Sequence, residues 1–163
     1  MPDRRYTLRI GVIGGSSCSS EDAALAGETG RIIALQKHIL ICGGMGGVME
    51  AACEGAFKNG GITVGILPGE DEKGSNKYLT VALPTGIGTA RNMFVVKMCD
   101  ALIAIGGWYG TLSEIAFALN IGRPVVALNT WKCSIKGREA DLITAVSPGE
   151  AVEKAVKAVS GPR

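Results

Sequence analysis

Arg91 and Glu114 are the two residues of this sequence best placed to do chemistry. Each stands just past a glycine-rich segment: Arg91 follows Gly86–Thr89 and precedes Asn92, and Glu114 comes four residues after Gly110. The planar fork of arginine matches two phosphate oxygens at once. A carboxylate accepts sugar hydroxyls, or stabilises the oxocarbenium-like transition state of a breaking glycosidic bond. Both residues also have plain structural readings. Thr111-Leu112-Ser113-Glu114 spells a capping box, with Thr as cap and Glu reaching back. Arg91 could be a solvated or ion-paired arginine. The pair says more than either member.

Glycine surrounds this pair. The chain has 24 glycines in 163 residues, about twice the usual roughly 7%. They gather after short apolar runs, in five places: Gly14-Gly15-Ser16-Ser17, Gly43-Gly44-Met45-Gly46-Gly47, Pro68-Gly69, Gly86-Ile87-Gly88, and Gly106-Gly107-Trp108-Tyr109-Gly110-Thr111. Glycine lets the backbone approach a ligand closely. Where such a loop opens a helix, free N–H groups and the helix dipole favour an anion, phosphate above all. The candidate ligand contacts are therefore Gly14, Gly15, Ser16, Ser17, Gly43, Gly44, Gly46, Gly47, Met49, Asn92, Gly106, Gly107, Gly110 and Thr111, beside Arg91 and Glu114. Tight turns alone would explain any single cluster. Trp108 and Tyr109 suit either stacking on a base or packing an interface between copies.

Several chemistries are excluded. No GxxxxGK(S/T) is present, and the first glycine turn, GVIGGSSCSS, is not GxGxxG. Gly44-Met45-Gly46 begins that pattern, but Met49 stands where the last glycine belongs. The single histidine, His38, falls between a helix and a strand, away from the glycine edge, which argues against a Ser-His-Asp triad. No HExxH or clustered acids point to a metal. The cysteines, Cys18, Cys42, Cys53, Cys99 and Cys133, are odd in number and form no CxxC. Seventeen Lys and Arg against fifteen Asp and Glu leave a net charge of +2, and Arg4, Arg5, Lys132, Lys136 and Arg138 are scattered. Binding to nucleic acid through bulk charge is not expected. The residues before Gly15 lack the apolar core of a signal peptide, and no apolar run reaches 18 residues. The expectation is a cytoplasmic protein with no membrane partner.

The elements that must position these loops read as an alternation. Thr7–Ile13, Ile39–Cys42, Ile62–Leu67, Leu79–Leu83, Ala101–Ile105 and Val125–Leu128 are short, continuously apolar runs, the pattern of strands covered on both faces. Leu142–Val146 reads as a candidate seventh. Helices are expected over Glu21–Lys37, Val48–Lys58, Ala90–Cys99, Leu112–Ile121 and from Ser147-Pro148-Gly149-Glu150 to about Val159. The order predicts one α/β domain over residues 1–163: a Rossmann-like, doubly wound, mainly parallel sheet of six or seven strands with helices on both faces. All five glycine clusters would then share the carboxyl edge, where such sheets bind ligands.

Four segments resemble the SLOG superfamily: GVIGGSS at Gly11–Ser17, GGMGGVMEAA at Gly43–Ala52, TARN at Thr89–Asn92 and GGWYGTLSEIAFAL at Gly106–Leu119. That superfamily includes the Lonely Guy phosphoribohydrolases, often labelled lysine decarboxylases, and the molybdenum-cofactor carrier proteins. The resemblance implies that Glu114 and Arg91 take the places of the glutamate of the Lonely Guy PGGxGTxxE signature and its upstream arginine. Gly106 replaces the signature proline, Trp108 its second glycine, and Asn92 rather than Lys follows Arg91. These departures lie nearer the carrier-like branch. The implied function is either N-glycosidic cleavage of a nucleoside 5′-monophosphate to base and ribose 5-phosphate, or carriage of a nucleotide or molybdenum cofactor without turnover. No resident cofactor is required. A homodimer or larger homo-oligomer is expected.

Overall fold

The structure, a computed structural model, describes residues 7–161. Arg4, Arg5 and Pro162 lie outside the described residues. The strands are β1 (Arg9–Gly14), β2 (Ile39–Cys42), β3 (Ile62–Leu67), β4 (Val81–Pro84), β5 (Ala101–Gly106), β6 (Val125–Thr130), β7 (Ser134–Ile135), β8 (Arg138–Glu139) and β9 (Ile143–Thr144). The helices are α1 (Ser20–Leu35), α2 (Val48–Phe57), α3 (Asn92–Met98), α4 (Tyr109–Asn120) and α5 (Pro148–Ser160). Seven strands form one parallel sheet in the order β4-β3-β2-β1-β5-β6-β9. This is the Rossmann-like α/β fold read from the sequence. β7 and β8 pair antiparallel as a small hairpin within the irregular stretch after β6.

Alternate residues of each strand feed two cores. Ile10, Val12, Leu40, Cys42, Ile103 and Ile105 pack under α1, α2 and α5. Ile13, Ile41, Ile66, Leu102 and Ala104 pack under α3 and α4. Some glycines serve these layers rather than any ligand. A Cβ on Gly30 would clash with the Ala52 carbonyl, so α1 and α2 can touch backbone to backbone only without a side chain there. At the far end, Ser147 caps α5 by accepting from the Glu150 amide, with Pro148 in its first turn.

Between β3 and β4, residues 68–80 cross as a loop whose Leu79 packs over Gly44 and Gly65. Two expectations are corrected. The helix expected from Ala90 is split into a 3-10 turn, Gly88–Arg91, followed by α3. The capping box at Thr111–Glu114 does not form. Gly107, at φ +93°, turns the chain so that α4 begins at Tyr109 with Trp108 as cap residue. Thr111 then falls inside the first turn, its side chain directly beneath Gly107.

The chain reverses its winding between β1 and β5, which are hydrogen-bonded neighbours. The connection after β1 leads to α1 on one face, and the connection after β5 leads to α4 on the other. This is the switch point at which open α/β sheets leave a crevice. The α3/α4 face is thinly covered. Its helix beside β2–β4 is α3, seven residues long. An apolar depression there is lined by Ile41, Val64, Ile66, Leu83, Phe94 and Met98. Among the described residues, no helix is long and apolar enough to cross a membrane.

Candidate functional site

The crevice at the switch point holds a cavity of about 230 Å³. Its walls come from the ends of β1, β2 and β3, from the 3-10 turn before α3, and from the opening of α4. Ten of the sequence-derived candidates line it: Gly14, Gly15, Ser16, Gly43, Met49, Arg91, Asn92, Gly110, Thr111 and Glu114. Ser17, Gly44, Gly46, Gly47, Gly106 and Gly107 do not. Ile13, Pro68, Thr89 and Trp108 complete the lining. Thr89 and Pro68 carried signals, the TARN segment and the third glycine cluster. Ile13 lies in the GVIGGSS segment but, as an apolar strand residue, reads only as core.

The two helices that open after glycine clusters differ. At α4 no side chain caps the start, and the first intrahelical bond runs from the Leu112 N–H to the Trp108 carbonyl. The amides of Tyr109, Gly110 and Thr111 therefore precede the ladder, as the first amides of any helix do. Gly110 and Thr111 lie on the cavity wall. At α2, by contrast, the Val48 amide already donates to the Gly15 carbonyl at 3.0 Å, and Gly47 sits so close to Gly15 and Ser16 that a Cβ would clash. The second glycine cluster thus ties two loops together, while the fifth presents a helix end to the cavity.

Arg91 reaches back over the crevice. Its Nη2 donates to the Gly43 carbonyl at 3.2 Å, and its Nη1 donates to the Asn92 side-chain oxygen. Its Nε is buried with no hydrogen-bond partner, a donor whose burial carries an energetic cost until something accepts from it. Burial pulls the Arg91 pKa down, and the charges of Glu114 and Cys42 oppose this. Glu114 is 6% exposed. Burial pushes its carboxyl up to about 8, against the attraction of Arg91. At neutral pH Glu114 is therefore mostly protonated, a donor as well as an acceptor.

Behind the cavity wall lie Cys42 and Cys53, their sulfurs 3.4 Å apart in the core. The hydrogen bond between them holds the Cys42 thiol below its ordinary pKa and pushes that of Cys53 up. His38 is buried at the other end of the sheet, its Nδ1 accepting from the Leu8 amide at 3.2 Å. Among the described residues, no group of three or more His, Cys, Asp or Glu could hold a metal ion.

Comparison with known proteins agrees with this architecture. The model of the SLOG cluster4 family matches residues 7–156. A protein of Archaeoglobus fulgidus described as uncharacterized is 46% identical over 121 residues, 74% of this chain and 80% of that protein. A probable cytokinin riboside 5′-monophosphate phosphoribohydrolase of Oryza sativa subsp. japonica is 30% identical over 119 residues, 69% of this chain. The match spans only 50% of the rice protein's length. Among solved structures, the molybdenum cofactor binding protein of Rippkaea orientalis superposes with a TM-score of 0.80 at 33% identity, covering 92% of this chain and 96% of that one.

Proposed function

The chain belongs to the SLOG cluster4 family, and from that premise we propose that it binds a phosphate-bearing nucleotide or pterin-type cofactor, such as the molybdenum cofactor, in the crevice between β1 and β5. The observation that carries this reading is the uncapped start of α4 lining the same cavity as Arg91. Helix amides and an arginine fork are complementary to phosphate oxygens. The likeness to a molybdenum cofactor binding protein supports carriage as the primary role. The test is calorimetric titration with nucleoside 5′-monophosphates, with Arg91→Ala as control. Binding that Arg91→Ala weakens at least tenfold supports the reading; no binding by the wild-type protein rejects a nucleotide as the ligand.

A second reading, hydrolysis, is favoured by Arg91 and Glu114 sharing one cavity wall. Water would add to the anomeric carbon, and the base would leave with a proton, giving ribose 5-phosphate. Ionised Glu114 would stabilise the positive charge at that carbon. Release of free base by wild type but not by Glu114→Gln would support this reading. Binding without release in either protein leaves carriage.

The apolar depression supports the expected homo-oligomer, with a second copy covering it. Leu83, Phe94 and Met98 are each close to half exposed there (47%, 45% and 45%). Contiguous apolar surface of this kind marks an interface more often than free surface.

A further inference from the structure

Eight aromatic residues occur in the whole chain (two Trp, three Tyr, three Phe). Three of them, including both tryptophans, meet around Trp108, which lines the candidate cavity. The ring centroids of Trp108 and Tyr109 lie 4.9 Å apart, those of Trp108 and Trp131 6.2 Å, and those of Tyr109 and Trp131 6.1 Å. All three spacings fall within the range of favourable aromatic pairs. Trp131, just past the end of β6, is partly buried and packs against the α3/α4 core, which anchors the group. Trp108 and Tyr109 stand outward, 68% and 65% exposed. Trp108 is also the cap residue of α4 and part of the cavity wall, beside Thr111 and Glu114.

We propose that Trp108, braced by Tyr109 and Trp131, is the stacking platform for a flat heterocycle carried by the ligand. The proposal rests on the phosphate reading above and adds which end of the ligand the protein discriminates. Size supports it. At about 230 Å³ the cavity is smaller than the roughly 300 Å³ at the lower end of ligand pockets. A ring attached to a phosphate held there and extending past the cavity would meet Trp108, part of its lining. Exposed indole costs little to order against a ring, because stacking needs only a face and two fixed side-chain torsions. Such a platform accepts purines and pterins alike, since every flat heterocycle has a π face.

The test compares AMP, GMP and ribose 5-phosphate on the wild-type protein, Trp108→Ala and Trp108→Phe. Affinities are read by calorimetry, and assembly state by light scattering. Because both tryptophans lie in this cluster, intrinsic tryptophan emission of the wild type reports on the platform alone. The expected result is that AMP or GMP binds the wild type about tenfold or more tightly than ribose 5-phosphate and quenches its emission. Trp108→Ala should abolish that advantage with ribose 5-phosphate unchanged, and Trp108→Phe should largely restore it. Equal affinity for nucleotides and ribose 5-phosphate, unaltered by Trp108→Ala, would overturn the platform and leave the phosphate site standing. An equal loss for all three ligands, or a change of assembly state without a change in the nucleotide advantage, would also overturn it. Failure of the wild type to bind any of the three would overturn the phosphate reading itself.

Discussion

Arg91 lies against Gly43, 48 residues earlier in the chain, with its Nη2 donating to the Gly43 carbonyl. A Cβ added at Gly43 would come within 2.7 Å of that nitrogen. The contact is with the mobile end of a side chain, so a methyl group there should push the guanidinium aside rather than unfold the protein. Gly43→Ala is expected to weaken AMP binding about tenfold while changing stability by less than about 1 kcal/mol. The double variant with Arg91→Ala should bind no worse than Arg91→Ala alone, because both changes remove one interaction. Calorimetry and urea denaturation on the four proteins check this.

Burial of Glu114 ties folding to pH. Its folded pKa, about 8, exceeds the roughly 4.3 of an exposed glutamate. Between those values the folded state holds a proton that the unfolded state has lost. The contribution is fully present below about pH 4 and is lost as pH rises through 8. Glu114→Gln removes this dependence. Its melting temperature relative to wild type should rise from pH 5 to about pH 8, by an amount equivalent to a few kcal/mol, and level off above that. A constant difference across that range would contradict the burial of an ionisable carboxyl.

The same titration gives the hydrolytic reading a signature. If ionised Glu114 stabilises the transition state, base release must increase as pH passes upward through about 8. A rate that peaks near pH 5 would remove that role from Glu114.

Gly107 sets the start of α4. At φ +93°, with the Thr111 side chain against it, it has no room for a side chain. Gly107→Ala should cost about 2 kcal/mol or more in urea denaturation, beyond the usual penalty for alanine at positive φ. It should also weaken phosphate binding, since the turn that presents the helix end is the part displaced.

The apolar depression predicts its own disruption. Phe94→Glu puts a charge on a helix residue already 45% exposed, so the monomer should fold normally. Light scattering should show the mass falling to that of one chain. An unchanged mass would place the contact between copies elsewhere.

The sheet was legible because its strands are short, mostly apolar runs, from Ile10–Ile13 to Val125–Leu128. The convergence of Arg91, Glu114 and the first and fifth glycine clusters was legible for the same reason, since strand ends in a parallel sheet share an edge. Three features were not. Thr111 and Glu114 have the spacing of a capping box, and only the backbone turn at Gly107 decides that the helix begins two residues before Thr111. The tie between Val48 and Gly15 consumes an amide that the sequence offered to a ligand, and such a bond depends on how two distant loops meet. The aromatic group joins Trp131 to Trp108 across α4 and β6, a proximity no local spacing encodes.

The fork between β1 and β5 follows from the order in which strands were laid down, not from the side chains along it. Exchanging a side chain such as Arg91 or Glu114 on its walls edits what happens inside without dismantling the vessel. On the hydrolytic reading, loss of the Glu114 carboxyl ends cleavage and leaves binding in place. A scaffold of this kind can therefore shift between reagent and container by single substitutions, with its architecture untouched.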